Sequence, residues 1–341
     1  MAVIHLHIGL NKTGTSSLQD FFRMNAQALW DEAGLCYPQA GRDGGPAHHT
    51  LSKWLKSPKG IEAEAEAPMV AALLGELRGA QSAVISSEDF HTHGPRSTAQ
   101  LARLLAGHEV KVYLYLREHV AYLSSWYQQN VQATHLSCAF DTFCYFTRKP
   151  LAKIADQWAQ AFGRERVQVA LYERPALAGG DIVQDFAARI GLGGDLGRFK
   201  RKPYDSNPSV AGNLLFIKRL LNNFHGKAAA ASFVDEVTAL SRLKPQFQGR
   251  MAVDEETVRY VAGMYKADRQ ELHERFGLKI TPREGPQPGQ PTPDFATLQA
   301  DWAWVMATAR ERGFALAGCE SLLALGDLSR LAPARQAALA A

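Results

Sequence analysis

Short apolar runs alternate with amphipathic stretches through the first part of the chain. VIHLHIG, SAVISSE, VKVYLYL and VQVALYE are too short for helices, and VKVYLYL is apolar nearly throughout, as a strand buried on both faces must be. Between and after them the period changes to that of a helix: from about Thr15 to Ala33, near Ser97 to Leu105, from about Val120, and through DIVQDFAARIGL. Strands separated by helices predict an α/β fold of three layers, with a mostly parallel central sheet covered on both faces.

Beyond Phe199 the pattern becomes helical, with segments near Val210 to Phe224 and Glu255 to Phe276 and no internal repeat. TPREGPQPGQPTPD, residues 281–294, is rich in proline and glycine and reads as an ordered turn region or linker. ATLQADWAWVMATARERG then has the pattern of an amphipathic helix, and the Ala-rich end from Ala332 is expected to fray. The expected organisation is an α/β domain over 1–280, the Pro/Gly-rich segment 281–294, and a helical C-terminal appendage over 295–341.

Composition narrows the partners. The chain is 46% hydrophobic and 21% charged over 341 residues, with a formal charge of +4, ordinary values for a globular protein with a sizeable core. Its basic residues are spread out rather than gathered along one face, which suits a small anionic ligand better than a nucleic acid. Cys36, Cys138, Cys144 and Cys319 form no CxxC pair and sit in apolar surroundings, so neither a disulfide framework nor a zinc site is expected. The first residues lack the pattern of a secretory signal, and no run of about 18 apolar residues offers a membrane span. These features predict a cytoplasmic protein with no membrane partner.

The first chemical motif is IGLNKTGTSSLQDFF. A strand ends at Gly9, a short loop follows, and a helix opens near Thr15 with the polar first turn Thr15, Ser16 and Ser17. Amides of Gly14 through Ser17 would point into the hollow of the loop, where the positive end of the helix dipole, about half an elementary charge, favours an anion. Gly14 allows close approach of backbone to ligand, and the hydroxyls add donors. Gly9, Gly14 and Ser16 fit the frame of the GxxxxGK[ST] nucleotide loop, but Thr15 stands where that motif has lysine, and the lysine is Lys12, inside the loop. A kinase would lack the ammonium that follows the helix start around the β- and γ-phosphates.

KTGTSS at 12–17 resembles the 5'-phosphosulfate loop of the sulfotransferases that use 3'-phosphoadenosine 5'-phosphosulfate (PAPS), which reads roughly K-[ST]-G-T-[ST]-[ST] after the first strand. The resemblance implies a P-loop-like fold, PAPS as donor, the desulfated nucleotide PAP as product, and no required metal. It implies that Lys12 contacts the bridging oxygen and leaving phosphate, and that Thr13, Gly14, Thr15, Ser16 and Ser17 hold the 5'-phosphate.

A second motif lies in VKVYLYLREHVAYLSSWYQQ, where Arg117 ends an apolar strand and Ser125 follows eight residues on, inside a helix. Ligands of parallel sheets collect at the carboxyl ends of strands, so Arg117 should open onto the same edge as the first loop, and its guanidinium can donate two parallel bonds to a phosphate. In the resembling families an arginine and serine at this spacing bind the 3'-phosphate, roles that fall here on Arg117 and Ser125. SSWYQQ is also similar to YSWYQHQ of the heparan sulfate N-sulfotransferase domain, with Glu118-His119 replacing the usual Asn-Pro. FKRKPYDSNPS at 199–209 follows the last α/β unit; by the same resemblance Arg201, Lys202 and Asn207 are expected nucleotide contacts from a late loop. Trp126, Tyr127 and FDTFCYF at 140–146 read mostly as core packing, with an acceptor pocket as the alternative.

Transfer of a sulfonate also requires a base, worth about 10² to 10⁴ in rate, to take the acceptor's proton. SAVISSEDFHTH places Glu88 at the carboxyl end of a strand, the neighbourhood that supplies the base in the resembling families, and the resemblance makes Glu88 the first candidate and His91 the second. His48 and His49 are rivals from a loop or short helix that could fold over the same edge; being adjacent they point in different directions, so one at most faces the site, and His49 is favoured. The sequence thus predicts a sulfotransferase acting on a small-molecule or glycan acceptor. The alternatives are an atypical ATP-dependent kinase and a non-catalytic nucleotide-binding protein.

Overall fold

A computed structural model describes residues 1–57, 68–193, 195–202, 209–224 and 233–322. By contacts the chain divides into two compact units, the first built from Met1–His119, Lys149–Asp205 and Met264–Pro282, the second from Val120–Arg148, Ser206–Gly263 and Arg283–Ala341.

Among the described residues the first unit holds five strands, β1 (Val3–His7), β2 (Leu35–Cys36), β3 (Ser82–Ser86), β4 (Glu109–Leu116) and β5 (Val167–Leu171), in the order β2-β3-β1-β4-β5. Every pairing is parallel, and central β1 sets Leu6 opposite Ile85 of β3 and Val112 of β4. After β1 the chain runs outward to β2, returns to β3 and only then crosses to β4. The reversal leaves a crevice at the carboxyl end of β1, where ligands of open α/β sheets bind.

Helices cover both faces. Helix α1 (Thr15–Met24) turns Leu18, Phe21 and Phe22 onto the sheet, where they join Val84, Tyr113 and Tyr115 and meet Phe186 of a later helix, Ile182–Arg189, in one buried cluster. On the other face Leu151–Phe162 packs on β4 and β5 and against helices Pro95–Leu104 and Lys266–Phe276. Both faces of β1 are consequently buried: Ile4 and Leu6 on one, His5 and His7 on the other. The three-layer α/β architecture with a parallel sheet is the one the strand and helix periods predict.

The boundaries differ in instructive places. The helix expected from Thr15 to Ala33 breaks at Asn25, which leaves helical geometry and separates α1 from α2 (Ala26–Ala33); its amide donates to the carbonyls of Phe21 and Lys200, and its oxygen accepts the Lys200 amide. That side chain competes with the helix ladder as asparagine is able to do. The helix expected from Glu255 to Phe276 likewise breaks, at Tyr265, into Glu255–Met264 and Lys266–Phe276. Strand β2 is two residues long and helix Pro68–Leu77 joins it among elements the hydrophobic pattern did not signal.

The second unit is helical. It takes helix His119–Ala133 from Val120 onward, and includes Phe140–Phe146, Gly212–Phe224, Val234–Ser241 and Leu298–Glu311. The Pro/Gly-rich segment is pinned within it: Gln287 and Gln290 bridge to Val253 and Met251. No helix among the described residues is long and apolar enough to cross a membrane.

One buried carboxylate ties the three pieces of the first unit together. Asp268 accepts from His119 Nε2 at 2.8 Å and from the amides of Leu151 and Ala152 at 3.0 and 2.9 Å. Those amides open helix Leu151–Phe162, whose own N-cap is Pro150 and supplies no side-chain bond, so an acid more than a hundred residues away caps it. Asp268→Ala should lower unfolding stability by about 3 kcal/mol, since it leaves a buried imidazole nitrogen and two helix-opening amides without their acceptor. Asp268→Asn, which keeps an acceptor, should lose less in the same denaturant titration.

Candidate functional site

Backbone geometry shapes the loop after β1. Ile8 and Leu10 donate to the carbonyls of Tyr113 and Tyr115 at 3.0 and 3.2 Å, so the chain follows β4 to the sheet edge before it turns. Gly9 lies at φ +92°, and a Cβ there would stand 2.9 Å from the Cα of Glu88. Only glycine permits that approach, and it sets the loop directly beside the turn after β3. Lys12 is at φ +65°, one of two non-glycine residues in the left-handed region among those described. L-residues pay roughly 1–2 kcal/mol there, a strain that collects at functional positions.

Gly14, at φ +76°, is the N-cap of α1, and a Cβ on it would come within 2.9 Å of the Tyr172 ring and 3.1 Å of Ile182. No side chain caps the helix and its first turn holds no acidic residue, although both devices are common at helix starts. The first-turn amides and the positive helix end are therefore offered outward, with Ser16 and Ser17 exposed beside them. Thr13 and Thr15 are buried, and the Thr13 hydroxyl donates to Leu10 O at 2.5 Å, so its own contribution to an anion is its backbone amide.

Side chains from three other strand ends meet this loop. Arg117, following β4, reaches the Lys12 carbonyl with Nη1 at 3.5 Å. Tyr172, following β5, lies against Gly14; its amide is held by Leu116 O at 2.6 Å. Glu88, following β3, opens a short 3₁₀ turn, Glu88–Thr92, capped by Ser87, whose Oγ accepts from the Asp89 amide. Glu88 Oε2 accepts from Gln19 Nε2 at 2.8 Å, while Oε1 lies 3.5 Å from His49 Nε2.

His49 is the first residue of helix α3 (His49–Lys56), and its Nδ1 lies 2.9 Å from Ser87 Oγ and 3.3 Å from Asp89 Oδ2. The imidazole thus stands between two carboxylates. Its pKa is raised, chiefly by the bond to Asp89 with Glu88 adding to it, against an opposing effect of burial; that of Asp89 is lowered by the same bond. Glu88 and His49, expected as rivals, are neighbours.

Burial acts the other way on the two other candidate histidines. His48 turns inward between the Ser86 backbone and Pro38 O, and burial pushes it down to about 3. His91 also falls to about 3 by burial; its Nδ1 is bonded to Glu88 O and its Nε2 is 2.7 Å from Lys149 Nζ. Burial disfavours the imidazolium that either ring would become on taking a proton, which weighs against His91 as second candidate for the base.

The other expected contacts do not all fall in one unit. Arg201 pairs with Asp181 at 2.8 Å and Lys202 with Asp20 at 2.5 Å, both within the first unit. Ser125, half-buried on helix His119–Ala133, belongs to the second unit, and Asn207 lies outside the described residues. Tyr127, Phe140 and Phe143 are buried as core residues, whereas Tyr145 and Phe146 are exposed. Sequence reasoning passed over Tyr172, Gln19 and Asp89. LYE closing an apolar run was a signal for Tyr172; Gln19 on a helix face carries none.

No family model matches the chain. Over 204 residues it is 22% identical to an uncharacterized protein of Archaeoglobus fulgidus, an alignment covering 58% of this chain and 54% of that protein. The chain thus aligns with about half the length of that relative.

Two outcomes follow from this geometry. Lys12→Ala and Lys12→Gly both remove the ammonium, but only glycine relieves the left-handed backbone, so Lys12→Gly should be the more stable of the two by about 1 kcal/mol in denaturant titrations. His49, with its folded pKa raised, contributes stability below its unfolded value that is lost as pH rises through the folded one; Asp89, with its pKa depressed, contributes above its unfolded value and loses this as pH falls. The melting-temperature gap between wild type and His49→Gln should therefore be widest between the ordinary aspartate and histidine pKa values, about 3.9 and 6.5, and shrink as pH rises through the folded His49 value.

Proposed function

We propose that this chain is a sulfotransferase, moving a sulfonate from PAPS to a hydroxyl or amine of a small-molecule or glycan acceptor. The observation that carries the reading is the loop itself: a lysine in strained backbone, a glycine cradle that a Cβ would fill, and a helix start left without side-chain cap or acid, with Arg117 alongside. This donor set fits a phosphosulfate. Lys12 and the amides from Gly14 to Ser17 would take the charge that develops on the leaving phosphate oxygen, where preorganised donors contribute most. Arg117 would take the 3'-phosphate, with Ser125, Arg201, Lys202 and Asn207 as further contacts expected from the family resemblance.

Glu88 serves as the base. It accepts the proton of the acceptor's O–H or N–H as the lone pair attacks sulfur; the bond from sulfur to the bridging oxygen breaks, and PAP leaves. His49, held between Asp89 and Glu88, is partner to that carboxylate. The transferred sulfonate carries less charge than a phosphoryl group, so the reaction as proposed calls for no metal. A cytoplasmic location, where a nucleotide donor is available, agrees with it.

Calorimetry with PAP against ATP plus magnesium tests the proposal. PAP should bind without metal and raise the melting temperature by mass action. Arg117→Ala should weaken PAP about 10- to 100-fold, and the analogue lacking the 3'-phosphate much less, since one charge-assisted contact is lost. Binding of ATP with magnesium but not of PAP would point instead to a kinase, and equal losses for both ligands would place Arg117 elsewhere.

A further inference from the structure

Gln19 is 2% exposed and lies on α1 one turn past the anion loop. Its Nε2 donates to Glu88 Oε2 at 2.8 Å and to Ser86 Oγ at 3.3 Å. Ser86 ends β3, and its hydroxyl lies 2.8 Å from Nδ1 of His7, which ends β1. A buried run of polar contacts thus leads from the two central strands through the amide of Gln19 to the carboxylate at the mouth of the site. The other oxygen of Glu88 faces His49 from α3.

The choice of side chain matters. An ammonium or guanidinium at this point would neutralise the carboxylate; a primary amide fixes the direction of one oxygen and leaves its charge in place. Placed on the helix whose N-terminus presents the loop amides, it also locks the carboxylate to the element that would hold the donor. Catalytic groups need support of this kind, because a misplacement of about 1 Å costs on the order of 10² in rate.

We infer that Gln19 is a positioning residue that couples the anion-binding helix to Glu88. The catalytic consequence rests on the role proposed for Glu88 above; the coupling itself does not, and the two are tested apart.

The coupling is read from the His49 imidazole, followed by NMR of the full chain labelled with ¹³C-histidine, in wild type, Gln19→Met, Glu88→Gln and the double variant. His49 also faces Asp89, Ser87 and Lys53, none of which is changed. Its titration midpoint should fall in each single variant, and the double variant should fall no further than Glu88→Gln alone, because residues acting through one contact are not additive. An unchanged midpoint in Gln19→Met, or an equal fall on both backgrounds, would overturn the inference. If Gln19→Met does not fold, Gln19→Asn, with the amide drawn back by one methylene, gives the same comparison. With PAPS, Gln19→Met should lose about 10- to 100-fold in turnover while PAP affinity stays within about twofold. Loss of affinity with turnover retained would contradict a positioning role. Failure of the wild type to bind PAP would overturn the sulfotransferase proposal, while the His49 comparison would still decide whether Gln19 holds Glu88.

Discussion

At Gly9 the backbone passes so close to Glu88 that no side chain fits between them, and the rest of the edge is arranged around that contact. Because β1 and β3 are adjacent and parallel, their carboxyl ends arrive together. The missing Cβ lets the loop after one strand lie on the turn after the other. The loop after β1 and the Glu88 carboxylate are thereby set side by side by backbone alone. A second glycine approach, Gly14 beneath Tyr172, brings the end of β5 to the start of α1, and Arg117 brings in the end of β4.

Electrostatics within this frame follow from burial. His5 and His7 on β1, His48, His91 and His93 are all held well below the ordinary histidine range because burial disfavours the imidazolium. His49 alone among the histidines with a resolved shift moves upward, because Asp89 and Glu88 flank it. The positive end of α1 is left unopposed by any acid in its own first turn, so negative charge at the mouth sits on Glu88 and Asp89 across from it. The positive end of α1 and the Glu88 carboxylate thus border the same loop.

The unit that carries the edge is assembled from three separated stretches of chain. Asp268 joins their ends, at His119 just past Arg117 and at the start of helix Leu151–Phe162. A residue remote in sequence from every candidate ligand contact therefore anchors the turn from which Arg117 projects.

The four long strands, the helices opening near Thr15, Ser97 and Val120, and the parallel three-layer class were legible in the sequence, since period and apolar content are local properties that burial on both faces imposes directly. The loop at 9–17 was legible for a similar reason: glycine, lysine and hydroxyl residues in one short stretch between a strand and a helix carry their geometry with them. The break at Asn25 was not, because its cause is the Lys200 backbone, distant in sequence. Local pattern favoured His49 but could not tell which of the His48, His49 and His91 rings the fold buries most deeply. Tyr172, Gln19 and Asp89 enter the site only where separate elements converge, and the pairing of Glu88 with His49 depends on α3 returning to the β3 edge. Contacts between residues far apart along the chain, which no local period encodes, decided those assignments.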